Sequence, residues 1–298
     1  MLFDLASHFD GTPTPGVLAG VAEKAILVPP NDLNAVKATL RDRRDICAVI
    51  LEPTGSSFGQ VPVEPEFLRG LRALTEQHGV LLIFDEVITG FRTSRGGAQV
   101  AFGIRPDLSS FAKIVAGGMP GAAVAGRKEI LDLLDFAATA AAGREKIHHP
   151  GTFNANPVAA AAGIACLTEL AETDANDVAA ARAAELRAGL NAMLAEEALP
   201  WAAYGTSSGF HLFTNPHRRE GIRPDAFDPY ICSGEELKGG DPMLVNRLRL
   251  ALLVNGVDPN PRLGGFTSAT HGSTDIADTV AAYRAAIRML RAESLLPA

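Results

Sequence analysis

Cysteine, blocks of positive charge and long apolar runs are what this chain has least of, and each shortage removes a class of protein. Its three cysteines, Cys47, Cys166 and Cys232, are odd in number, far apart and without metal-ligand spacing. That excludes a disulfide framework and leaves them as reduced, structural residues. Lysine and arginine number 27 against 34 aspartates and glutamates, giving a formal net charge of −7 with no basic block. Nucleic acid and anionic membrane surfaces are therefore disfavoured as partners, and small molecules are favoured. No apolar stretch approaches the roughly 20 residues of a membrane span, and Met1 to Ala6 lacks the basic and apolar regions of a signal peptide. The expectation is a soluble, cytoplasmic protein. With 298 residues, 47% hydrophobic and 20% charged, the chain can bury one large core and a smaller one.

The first 30 residues are rich in turn formers (Gly11, Pro13, Pro15, Gly16, Gly20, Pro29, Pro30) and show no sustained periodicity. Order begins at Asp32, a helix cap ahead of Leu33, Val36 and Leu40 on one face. Ile46 to Leu51 is a continuous apolar run ending at Glu52-Pro53, and a strand apolar on both faces belongs inside a parallel sheet. Glu64 to His78 keeps helical spacing at Phe67, Leu68, Leu71 and Leu74, with Gly79 to close it, and Val80 to Phe84 reads as the next strand. Strand, helix and strand make a βαβ unit, which places Glu52 and Asp85 at the carboxyl edge of a parallel sheet, where α/β folds bind ligands.

Asn156-Pro157 caps and opens an alanine-rich helix through Ala162, Cys166 and Leu170. Beyond it, Ala179 to Glu197 reads as an amphipathic helix, Phe210 to Phe213 as a strand and Gly234 to Gly240 as a mobile loop. A helix runs from Asp241-Pro242 to Gly256, and the last one carries Ile276, Val280, Tyr283, Ile287 and Leu290 on one stripe. The composition change sets a domain boundary near residue 172, dividing the chain into 1–172 and 173–298. No internal repeat is present.

Lys113 is a lone cation among small and apolar residues, Ser109-Ser110-Phe111-Ala112 before it and Ile114-Val115-Ala116-Gly117-Gly118 after it. A buried ammonium tends to lose its proton and become an amine nucleophile, whereas a lysine at a loop can snorkel to solvent. Asp85, at a strand end, can cap a loop or pair with a cation. Together with Gly151-Thr152 ahead of a helix N-terminus, the two residues make chemical sense for pyridoxal phosphate. A carboxylate keeps the pyridine nitrogen protonated, an amine forms the Schiff base, and a hydroxyl beside backbone N–H groups meets the phosphate.

The segments Phe84-Asp85-Glu86-Val87-Ile88-Thr89-Gly90-Phe91-Arg92, Gly96-Gly97-Ala98-Gln99, Pro106-Asp107-Leu108, Gly117-Gly118-Met119-Pro120 and Gly151-Thr152-Phe153-Asn154-Ala155-Asn156-Pro157 resemble, in order and spacing, the class III aminotransferases of fold type I, glutamate-1-semialdehyde 2,1-aminomutase and its relatives among them. The resemblance implies an α/β fold: a mostly parallel, helix-flanked sheet with a smaller C-terminal α+β domain. It further implies pyridoxal 5′-phosphate as cofactor, an amino donor and a keto acceptor as small-molecule substrates, and a homodimer with a shared site. Residue by residue, the resemblance implies that Lys113 is the Schiff-base lysine and proton carrier, and Asp85 the partner of the pyridinium. By the same resemblance Val87 would pack on the ring face, and Thr152 would bind the phosphate of the neighbouring subunit's cofactor. Glu52 also matches a family position near the cofactor, though ordering a loop is an equal reading. The adjacent His148 and His149 point in different directions and have no suitably spaced partner for a metal. Arg92 and Arg95, just after the Asp85 strand, could bind a substrate carboxylate, though solvated loop charges are the favoured reading.

Two departures from the family pattern carry expectations. The family's N-terminal portion, with its phosphate-binding turn and ring-stacking aromatic, has no counterpart here, and neither Gly11-Thr12-Pro13 nor Gly55-Ser56-Ser57 lies in the required strand-to-helix context. An incomplete large domain with open sheet edges and poor solubility is thus expected, and a non-catalytic remnant is one reading of the chain. Leu263 stands where the aminomutase carries a glutamate, which favours a transaminase of an amino acid or related amine over the mutase.

Overall fold

A computed structural model describes residues 12–296. The stretch Met1 to Gly11, with its turn former Gly11 and the segment read for targeting signals, lies outside the described residues. The chain divides into two compact units, one of residues up to Ser56 together with Val63–Thr173, the other of Ser57–Pro62 together with the residues from Asp174 on. Among the described residues no helix is long and apolar enough to cross a membrane.

The first unit begins its regular structure with α1 (Leu33–Asp42), whose N-cap Asp32 accepts the Ala35 N–H at 2.8 Å. β1 (Ala48–Leu51), α2 (Pro65–His78) and β2 (Leu81–Glu86) form the anticipated parallel βαβ unit. Proline opens α2 and Gly79, at φ 67°, closes it in the left-handed region that glycine tolerates. Then follow α3 (Gly97–Phe102), β3 (Leu108–Ala112), β4 (Ala122–Gly126) and α4 (Pro157–Glu172). The sheet order is β1-β2-β3-β4, with two parallel pairings and an antiparallel last one. Val36, Leu40, Phe67, Leu71, Leu82 and Phe84 share the core.

Two sequence expectations are corrected here. The strand read over 46–51 is only Ala48–Leu51, and it lies at an edge of the described sheet rather than inside it. Its apolar residues pack on α2 from one side, and only Leu51 is fully buried. The other edge, β4, is exposed at all five residues.

Opposite the carboxyl edge, Asp107 joins the strands. Its carboxylate accepts the Leu82 N–H at 2.7 Å, Arg72 at 3.0 Å and Arg127 at 3.1 Å. Burial alone would raise the Asp107 pKa, but these three donors outweigh it and hold the group below the usual carboxylate range. A depressed folded pKa adds stability above the unfolded value of about 4, and that stability disappears as pH falls through the folded value. Asp107→Asn is therefore expected to cost about 1.5–3 kcal/mol at pH 7 and distinctly less near pH 3. Urea unfolding at both pH values tests this, and an equal loss at the two would contradict it.

The second unit is built from α5 (Ala175–Glu196), β5 (Ala202–Tyr204), β6 (Gly209–Phe213), α6 (Gly234–Lys238), α7 (Pro242–Val254), β7 (Gly265–Phe266) and α8 (Ser273–Ala292). The three strands form an antiparallel sheet in the order β5-β6-β7. Leu190, Met193, Trp201, Leu252, Tyr283 and Ile287 meet in its core. The segment read as a mobile loop over 234–240 contains α6 instead. The signal was present in the sequence: Ser233 and Glu236 form a reciprocal capping box.

Within this unit Ser57 and Phe58 both adopt left-handed backbone, at φ 54° and 59°, unusual for residues with a side chain. Side chains from distant segments hold them there. Buried His211 meets the Phe58 carbonyl through Nε2 at 3.0 Å, which assigns the ring proton to that nitrogen, and burial pushes the His211 pKa down. Arg262 donates to Ser57 Oγ at 2.8 Å and Gln60 Oε1 at 3.0 Å, and Tyr204 donates its hydroxyl to the Gln60 carbonyl at 2.6 Å. Nothing near His211 in sequence indicates this role.

Candidate active site

Side chains alternate across a strand, so Asp85 and Glu86 at the end of β2 leave on opposite faces. Asp85 is half-buried. Its Oδ1 accepts the Val87 N–H at 3.1 Å and the Ser110 hydroxyl at 3.2 Å, and Ser110 is its register partner on β3. Among the described residues Oδ2 accepts no hydrogen bond. One oxygen thus orients the carboxylate while the other stays available as an acceptor.

Lys113 follows three residues after Ser110, as the first residue of a 3-10 turn, Lys113–Ala116, that leaves the carboxyl end of β3. Three residues of extended chain span about 10 Å, so Asp85 and Lys113 belong to one stretch of the sheet edge. The structure departs from the buried-amine reading, because Lys113 is exposed and its amine makes no ion pair or hydrogen bond among the described residues. Its backbone is left-handed at φ 54°, a conformation that costs an L-residue about 1–2 kcal/mol. Such strain needs a surrounding structure that enforces it.

That enforcement comes from α4. Gly117, at φ 58°, lies against the Ala162 carbonyl, and Gly163 lies against the Val115 carbonyl. A β-carbon added at either glycine would approach those oxygens closer than 3.0 Å. Only two residues without side chains let the helix backbone touch the turn that carries Lys113. Gly163 is also the one buried residue of α4, a helix that is apolar around its circumference yet exposes Val158 and Ile164.

Thr152 is exposed, in a turn closed by the Asn154 N–H on the Gly151 carbonyl at 3.0 Å. Asn156 caps α4 as read from the sequence, its side chain accepting the Val158 and Ala159 N–H groups. Val87 is half-buried and bonded to Asp85 through its amide. The structure therefore brings Asp85, Val87 and the Lys113 turn to one edge. Among the described residues no hydrogen bond joins Thr152 to them.

Arg92 is not a plainly solvated charge: it is half-buried, its Nε donates to the Ile88 carbonyl at 3.1 Å, and burial lowers its pKa. Arg95 is exposed and donates to the Thr173 carbonyl. His148 and His149 are exposed, and no cluster of potential metal ligands occurs among the described residues. Sequence reasoning gave no role to Glu86, which is fully buried and accepts four hydrogen bonds. Its position on the inward face of an alternating strand was the available signal.

Comparison with known proteins points one way. Residues 10–201 match the family model described as aminotransferase class-III. The chain is 37% identical over 276 residues to glutamate-1-semialdehyde 2,1-aminomutase 2 of Brevibacillus brevis, covering 91% of this chain and 60% of that protein. Among solved structures it resembles an omega-transaminase from Sphaerobacter thermophilus, with a TM-score of 0.79 and 33% identity, over 94% of this chain and 61% of the other. A glutamate-1-semialdehyde aminomutase from Pseudomonas aeruginosa gives a TM-score of 0.74 and 27% identity, over 94% of this chain and 60% of the other. The chain thus spans about 60% of the length of these relatives.

Proposed function

The chain belongs to the class III aminotransferases, and from that premise we propose that Lys113 and Asp85 hold pyridoxal 5′-phosphate and that the protein transfers an amino group from an amino acid or related amine to a keto acceptor. One observation carries the reading: on a single sheet edge, and among the described residues, an oriented carboxylate keeps one oxygen unengaged while a lysine amine is exposed and unpartnered. That donor set fits the cofactor, which needs an acceptor for a protonated ring nitrogen and an amine for its aldehyde. When bound, the cofactor supplies that aldehyde and a ring that takes up an electron pair.

The chain's own residues do the rest. Asp85 Oδ2 holds the proton on the ring nitrogen, and Ser110 with the Val87 amide keeps that carboxylate aimed. Lys113 Nζ would hold the aldehyde carbon and would carry a proton at the substrate carbon. Val87 packs on the ring face. Thr152, exposed and without a hydrogen bond among the described residues, serves the phosphate held by a second subunit. A homodimer follows, supported by the exposed apolar residues Phe153, Val158 and Ile164 around α4. A cytoplasmic location and a functional division near residue 172 complete the proposal.

The 37% identity to an aminomutase supports a second reading, glutamate-1-semialdehyde 2,1-aminomutation. Leu263, buried in the second unit, weighs toward the transaminase. The test begins by mixing the protein with pyridoxal phosphate, reducing with borohydride and mapping the modified peptide by mass spectrometry. Selective modification of Lys113 supports the cofactor assignment, while absent or scattered modification supports the non-catalytic remnant. With a labelled protein in hand, amino transfer that requires an added keto acceptor supports the transaminase. Acceptor-independent formation of 5-aminolevulinate from glutamate-1-semialdehyde supports the mutase.

A further inference from the structure

Glu86 is 0% exposed and pairs with no cation among the described residues. Its Oε2 accepts the Ala98 N–H at 2.6 Å and the Thr89 hydroxyl at 3.1 Å, while Oε1 accepts the Gln99 N–H at 3.3 Å and the Gln99 side-chain amide at 3.2 Å. All four partners donate. A carboxamide would turn an NH₂ toward a backbone N–H, so the site is built for two acceptor oxygens, as a carboxylate presents. The turn is shaped to it: a β-carbon on Gly97, at φ 72°, would strike the Glu86 side chain, and one on Gly90 would strike the Glu86 carbonyl and the Phe111 ring.

The partners bracket the segment that leaves the sheet edge. Thr89 stands near its beginning, Ala98 and Gln99 at its return, and Val87, the donor that orients Asp85, lies between Glu86 and Thr89. Asp85 and Glu86 face opposite ways from adjacent positions. We infer that Glu86 is a positioning residue: the buried carboxylate fixes the turn from beneath, so that the Val87 amide stays on Asp85 Oδ1 and Asp85 Oδ2 stays aimed at the ring nitrogen. The last step of this inference rests on the proposed cofactor site, whereas the coupling of Glu86 to Asp85 through Val87 does not.

The experiment measures amide hydrogen exchange and pyridoxal phosphate affinity in the wild type and in Glu86→Gln. The Leu82 amide, bonded to Asp107, reports the sheet as a whole. The expected result is at least tenfold faster exchange at Val87 as well as at Ala98 and Gln99, with Leu82 unchanged, and at least tenfold weaker cofactor binding. Faster exchange confined to Ala98 and Gln99 would overturn the inference, reducing Glu86 to a cap of α3. Unaltered affinity in a background that binds the cofactor would overturn its part toward the ring. A wild type that binds no cofactor would sink the proposed function alone, and Val87 exchange would still decide the coupling. If Glu86→Gln does not fold, Thr89→Val removes one donor at near-constant volume. The same pattern is then expected at reduced size, and an unchanged Val87 overturns the inference.

Discussion

Lys113→Ala is expected to abolish borohydride-stable attachment of pyridoxal phosphate and to lower amino transfer by about 10²–10⁴-fold through loss of proton transfer alone. The covalent hold on the aldehyde goes with it, so the true loss sits at or beyond the upper end. Lys113→Arg should fail as completely, because a guanidinium keeps the charge but does not give up its proton to become a nucleophile. That pair separates amine chemistry from mere positive charge. Stability moves differently: the Lys113 amine makes no hydrogen bond or ion pair among the described residues, so its removal should change unfolding free energy by less than about 0.5 kcal/mol. Lys113→Gly should exceed Lys113→Ala in stability by about 1 kcal/mol, since glycine relieves the left-handed backbone at φ 54°. A stabilised but inactive protein would be the signature of strain kept for function. Normal turnover, or retained label, in Lys113→Ala would show that the amine is elsewhere.

Gly163→Ala should destabilise the protein by about 2–4 kcal/mol, opposite in sign to the effect of helix propensity, which favours alanine over glycine by about 1 kcal/mol in a helix interior. The reversal arises because a methyl group there meets the Val115 carbonyl, which belongs to backbone and cannot swing aside. Gly117→Ala should cost a similar amount, from contact with the Ala162 carbonyl and from its φ of 58°. Both changes push the same two surfaces apart, so the double substitution is expected to cost clearly less than the sum. Gly143→Ala serves as control: its φ is 62° but nothing among the described residues lies within 4 Å of the added carbon, so only the backbone cost of about 1 kcal/mol applies. Urea unfolding reads the stability, and the yield of borohydride labelling at Lys113 reads the position of the turn. A neutral or stabilising Gly163→Ala would mean that the contact between α4 and the Lys113 turn is not close.

Much of the local structure in both units is legible in the sequence because its signals act over a few residues. Asp32 before Leu33, Asn156-Pro157 before α4 and Asp241-Pro242 before α7 mark helix starts through N–H groups two or three residues away, and each side chain does cap its helix. The parallel pairing of β1 with β2 follows from the helix between them. Spacing along the chain likewise groups Asp85, Lys113 and Gly151-Thr152 as one constellation, to which the family resemblance adds Val87.

Distances in space were decided only on folding. Glu86 looks like the lesser half of an Asp-Glu pair until β2 alternation turns it inward and the chain brings Ala98 and Gln99 to its oxygens. The edge position of β1, the exposure of Lys113, the grip of His211 on Phe58 across 153 positions and the contact of Gly117 with α4 share the same origin. A residue's chemistry and its local backbone preferences are written in its neighbours along the chain. Which surface it meets, and whether that surface leaves it buried, strained or free to react, depends on elements far away in sequence, and only the packed structure determines that.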